Sequence, residues 1–61
     1  MKRVLQLAIN GNTVAVYEQT DLHDEIFYTA YHVVSGKRYY IDDFDSLTEA
    51  FQYCLQFCYD N

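Results

Sequence analysis

The sequence predicts an α+β fold, a four-stranded antiparallel β-meander (two hairpins) with one C-terminal α-helix packed on one face. Three observations carry that reading. Apolar residues alternate with period two in the early segments, two-residue turn signals separate them in pairs, and the closing segment changes to spacings of three and four.

The first hairpin spans residues 3 to 18. Leu5, Leu7 and Ile9 alternate with Val4, Gln6 and Ala8, and Val14 and Val16 alternate with Ala15 and Tyr17. Asn10-Gly11 lies between them, and both residues tolerate the positive φ that a type I′ turn demands. That turn sets Leu7 opposite Val14, Leu5 opposite Val16 and Arg3 opposite Glu18, so apolar meets apolar and charge meets counter-charge.

Thr20 to Asp24 is a polar break. Residues 25 to 34 form a second run, rich in β-branched and aromatic side chains, followed by Ser35-Gly36-Lys37 and a short strand from Arg38 to Asp42. A Ser35-Gly36 turn places His32 opposite Tyr39 and Ala30 opposite Ile41, with Ile26 and Tyr28 on the same face. Phe27, Thr29, Tyr31, Val33, Arg38, Tyr40 and Asp42 then share the other face, and a slip of one residue would exchange the two sets.

The last element is a helix. Ser46-Leu47-Thr48-Glu49 has the form of a capping box, in which Ser accepts from the first turn and Glu reaches back. Leu47, Ala50, Phe51, Cys54 and Cys58 make an apolar stripe that Leu55 and Phe57 widen, while Thr48, Gln52, Gln56 and Tyr59 face water.

With 61 residues the chain is a single small domain (1–61), of a size that commonly needs a disulfide, a metal or a partner subunit for stability. Two cysteines are too few for a secreted disulfide framework, and no apolar run approaches the roughly 20 residues of a membrane span. The composition therefore predicts a cytoplasmic chain with no membrane partner. Nine acidic against four basic side chains, a net charge of −5, weigh against a phosphate-backbone binder and make nucleic acid a poor partner.

Few residues offer chemistry. Cys54 and Cys58 stand at i and i+4 on the apolar helix stripe, where their Cβ vectors do not converge for a disulfide. His23 and His32 lack the paired spacing a zinc site would use, so the cysteines read as small core hydrophobes and no metal or cofactor is expected. His23 sits in an acidic loop, and His32 reads as a packed strand residue. No nucleophile–base arrangement or phosphate-cradling glycine loop occurs, so an enzyme is not expected.

Surfaces are more informative. One helix covers one face of the sheet, leaving Val4, Tyr17, Phe27, Tyr31, Val33 and Tyr40 on the other. An open apolar face on so small a chain marks an interaction site, and Tyr gives large contact area at low entropy cost. Tyr17, Phe27, Tyr31 and Tyr40 are the candidate partner-binding residues of the sheet face, the partner being a second copy of the chain or another protein. Asp42, Asp43, Asp45 and Glu49 form a candidate acidic edge at the helix N-terminus, which also serves the helix dipole.

The stretch from Gly36 to Phe51, with its strand running into Ser46-Leu47-Thr48-Glu49-Ala50, resembles the last strand and helix start of small sheet-plus-helix modules such as HicB-type antitoxins and the arm-binding domains of tyrosine integrases. The resemblance covers about a quarter of the chain. It implies a sheet with one capped helix, and an antitoxin-like regulator as one function. The integrase sheet binds DNA through basic residues that this acidic chain does not match.

Two function classes follow. The first is a small acidic non-enzymatic protein-binding module, homodimeric, that modulates or inhibits a larger protein; carboxylates standing in for phosphates would suit a nucleic-acid-binding target. Short acidic chains of this composition are common in phages and mobile elements. The second is a nucleic-acid-binding or antitoxin-like regulatory protein, with bases stacked on Tyr31, Tyr40 and Phe27 beside Lys37 and Arg38.

Overall fold

The computed structural model describes residues 1–61. Strands β1 (Lys2–Ile9), β2 (Asn12–Thr20), β3 (Ile26–Val34) and β4 (Lys37–Phe44) form one antiparallel sheet in the order β1-β2-β3-β4, and helix α1 (Leu47–Asp60) packs across it. Every strand pairs with its neighbour in sequence, because each connection is short enough to make a hairpin.

Both tight turns have the conformation their residues favour. Asn10 and Gly11 lie at φ 56° and 79°, and Ser35 and Gly36 at φ 51° and 80°, so both are left-handed pairs matching the twist of the flanking strands. The middle connection is built on Asp21, whose Oδ1 accepts from the backbone N–H groups of His23 (2.7 Å) and Glu25 (3.0 Å). Within it the Asp24 N–H donates to the Asp21 carbonyl at 3.2 Å, closing a turn in which Asp24 lies at φ 60°, and the exposed loop backbone is satisfied locally.

The expected pairings Leu7–Val14, Leu5–Val16 and His32–Tyr39 are all present. Two others are not, for the same reason. A β-bulge at Val4 sets Arg3 opposite Tyr17 and leaves Lys2 opposite Glu18, so the expected Arg3–Glu18 pair does not form; Arg3 instead donates to Gln6 Oε1 at 2.9 Å. A second bulge at Ile41 sets Ala30 opposite Asp42 rather than Ile41. An extra residue in one strand lets two consecutive side chains lean to one side. Val4, expected on the open face, therefore joins Leu5 against the core, and Asp42 moves out of the Tyr31–Tyr40 face. Strand β4 also continues two residues past its expected end at Asp42.

The core lies between sheet and helix. Val14, Val16 and Ala30 meet Ala50, Cys54 and Cys58, with Leu5, Leu7, Ile9, Tyr28, Ile41, Phe44 and Phe57 packed around them. Only small residues line the innermost helix stripe, which brings the helix backbone close to the sheet. Leu47 and Phe51, beside the open β1 edge, are less covered than their spacing implies and each remain 37% exposed. Ser46 caps the N-terminus, its Oγ accepting from the Glu49 N–H at 3.1 Å, while the reciprocal bond from the Glu49 side chain is not formed. At the other end the Asn10 and Asn12 side chains donate to the Cys58 carbonyl at 3.3 and 3.2 Å. No helix is long and apolar enough to cross a membrane.

Candidate interaction surface

The face of the sheet opposite the helix collects the aromatic residues singled out from the sequence. Tyr17 on β2, Tyr31 on β3 and Tyr40 on β4 form a diagonal ladder, with ring centroids 5.6 Å apart for the first pair and 6.4 Å for the second, both edge-to-face. Such pairs add about 0.5–1.5 kcal/mol beyond their area burial. The ladder arises because Tyr31 sits opposite Tyr40 while Tyr17 is displaced by one step of the alternation, within reach of a large ring.

Arg38 completes the ladder. Its guanidinium carbon lies 5.1 Å from the Tyr17 ring centroid and 5.2 Å from that of Tyr31, inside the range for cation–π attraction to both. The sequence places Arg38 on this face, yet a basic pair in an acidic chain reads there as solvated surface. Only the three-dimensional diagonal shows that it is held between two rings.

Beside the ladder runs a chain of directed hydrogen bonds. Gln19 Nε2 donates to Thr29 Oγ1 at 2.5 Å, and Thr29 Oγ1 donates to Asp43 Oδ1 at 2.7 Å. Thr29 is only 2% exposed although it lies on the face away from the helix, so the aromatic face covers part of itself. Asp43 is thereby fixed next to Tyr40, whose hydroxyl is held above the ordinary phenol range, first by partial desolvation and then by its hydrogen bond to Asp43 and that carboxylate's charge. Tyr40 itself stays 61% exposed. Sequence reasoning missed the Gln19–Thr29–Asp43 relay, because only Thr29 and Asp43 are directly opposite and Gln19 reaches Thr29 on a diagonal, from its own position opposite Phe27.

The remaining site candidates fall in different places. Phe27 is half-buried on the same face, opposite Gln19, and forms no ring pair with the tyrosine ladder. The four carboxylates differ in their partners. Asp43 belongs to the aromatic face, Asp42 accepts from the Asp43 backbone N–H at 2.8 Å, and Asp45 and Glu49 flank the helix start as exposed groups.

Three of the residues with reactive side chains pack into the fold. Cys54 and Cys58 are free and fully buried, and burial, helped by the neighbouring Cys58, pushes the Cys54 thiol up to about 11. His32 packs edge-to-face on Phe57 with centroids 5.0 Å apart, and His23 is exposed. The one concavity is a shallow groove of about 260 Å³ between α1 and β1, lined by Leu5, Leu47, Thr48 and Phe51. Its lining presents no titratable group, and Thr48 is its one polar side chain.

Comparison with models of protein families, with curated proteins and with solved structures finds no match to this chain.

Proposed function

We propose that the chain is a small, acidic, non-enzymatic protein-binding module that modulates or inhibits a larger protein, which it contacts through the Tyr17–Tyr31–Tyr40 face. The single observation that carries this reading is the Arg38 guanidinium held over two rings of an otherwise uncovered tyrosine ladder. Tyr and Arg are enriched among the residues that dominate protein interfaces, because each gives a large contact area with a directional polar tip. Rings and guanidinium already packed on one another lose little freedom on binding, which lowers the ordering cost. The surrounding carboxylates favour a basic partner by steering its approach.

Capture of partners from the source cell on immobilised wild-type chain, in parallel with Tyr31→Ala and Arg38→Ala, tests this. A specific partner should be held by the wild type and bind each variant at least about tenfold more weakly, a loss of ~1.4 kcal/mol. Proteins retained equally by all three chains would remove the face from consideration.

A further inference from the structure

We infer that two copies of this chain join through their β1 edges into one eight-stranded sheet, leaving both tyrosine faces free. This is independent of what the tyrosine face binds.

The two edges of the sheet are treated differently. Edge strand β4 carries Lys37, Arg38, Asp42 and Asp43 and is interrupted by the bulge at Ile41, devices that discourage another strand from adding there. Edge strand β1 has its bulge at Val4, and beyond it Leu5 to Ile9 runs straight, without charge, Pro or Gly. The type I′ turn makes Ile9–Asn12 a hydrogen-bonded pair, so Leu7 and Leu5 also bond to β2, and the N–H and C=O groups of Gln6 and Ala8 point outward. Their side chains, a neutral amide and a methyl, impose no clash on an approaching strand.

The helix flank above this edge matches it. Leu47, Phe51 and Leu55 recur every four residues, and the neutral Thr48, Gln52 and Gln56 border them. None of the nine acidic residues lies on β1 or among these helix positions, although the chain carries a net charge of −5. Like-charged copies could meet here without opposing carboxylates.

Charge selects a second copy as the occupant. Antiparallel pairing of β1 with itself about Leu7 puts Gln6 of one copy opposite Ala8 of the other and uses the uncharged segment on both sides. The same symmetry carries Lys2 and Arg3 of each copy to the Asn10–Asn12 turn of its mate. That turn holds the C-terminus of α1 through Cys58, where the helix dipole is negative, Asp60 adds a carboxylate and no basic residue is present in the last turn. Two of the chain's four cations thus meet the one helix end that lacks them. The groove lined by Leu5, Leu47 and Phe51 becomes part of an apolar trough floored by both β1 strands and walled by both helices. Only eight of the 61 residues are buried within one copy and both cysteines are free, so the added core supplies what a small scaffold commonly needs.

Sedimentation of the full chain between about 5 and 500 µM, combined with amide hydrogen exchange, tests the pairing. The expected mass at the upper end is about 14 kDa, twice the 7.2 kDa of the chain, with the Gln6 and Ala8 amides protected. Phe51→Lys and Ala8→Pro should each weaken the dimer at least tenfold while keeping the wild-type circular dichroism, and Tyr31→Asp should leave it intact. A wild type that stays near 7.2 kDa throughout overturns the inference. So does a dimer whose Gln6 and Ala8 amides exchange freely, a reading that needs no variant, or one lost in Tyr31→Asp but kept in the other two.

Discussion

At the scale of single residues, the cysteines show how chemistry is suppressed by position. Cys54 lies at the centre of the small-residue stripe, fully buried against Val14, Val16 and Ala30, and its thiol is raised from the usual 9.0 to about 11 because a thiolate there would lose its hydration. The folded state therefore holds this proton more tightly than the unfolded chain. The stability this contributes is complete below pH 9 and declines as pH rises toward 11. The urea midpoint should accordingly fall between about pH 8.5 and about pH 10.5 by more in the wild type than in Cys54→Ala. An equal fall in both would show that Cys54 is not the source of the alkaline sensitivity. Burial of both cysteines was legible from their i, i+4 spacing on an apolar stripe. Arg38 was not legible in the same way, since its two ring partners come from different strands and its role depends on a diagonal that one-dimensional alternation does not show.

At the scale of elements, the turns and caps are where local sequence decided most. Asn-Gly and Ser-Gly both yielded left-handed pairs, and Ser46 capped the helix, because each depends on only a few neighbouring residues. The bulges were not read from the sequence, and both misplaced residues trace to them. Their signal at one edge was the adjacent pair Val4-Leu5, which strict alternation forces to opposite faces and a bulge lets point the same way. No comparable doublet marks Ile41-Asp42. The helix C-terminus was partly hidden, since beside the local cap Asn61 on the Phe57 carbonyl, the Cys58 carbonyl is held by Asn12 and Asn10, 46 and 48 positions earlier in the chain. Asn12 ties the first hairpin to the last turn of the helix, so Asn12→Ala should cost about 1 kcal/mol, the net worth of one such bond. Chemical denaturation would show this as a lower midpoint with unchanged slope. Loss of only a few tenths would mean that Asn10 alone suffices.

At the scale of the whole molecule, the balance of charge sets a general cost. Nine carboxylates and four cations share a body with principal extents of 36 × 22 × 15 Å, and unfolding lets like charges separate. Raising sodium chloride from about 20 to about 300 mM shortens the screening length severalfold, so the melting temperature should rise. A relief of about 1 kcal/mol corresponds to ~4–8 °C for a domain of this size. A fall on adding salt would show instead that attractive contacts, such as Arg38 with its rings, outweigh the repulsion. The strand order raises a further matter, that of time. Because each strand pairs with its neighbour in sequence, the sheet can assemble hairpin by hairpin as the chain folds, with no segment waiting for a distant one. The exception is its apolar side, which has no cover until residues 47–60 dock. A chain caught before that step would present Val14, Val16 and Ala30 to water on an already paired sheet, and would be the form most open to aggregation.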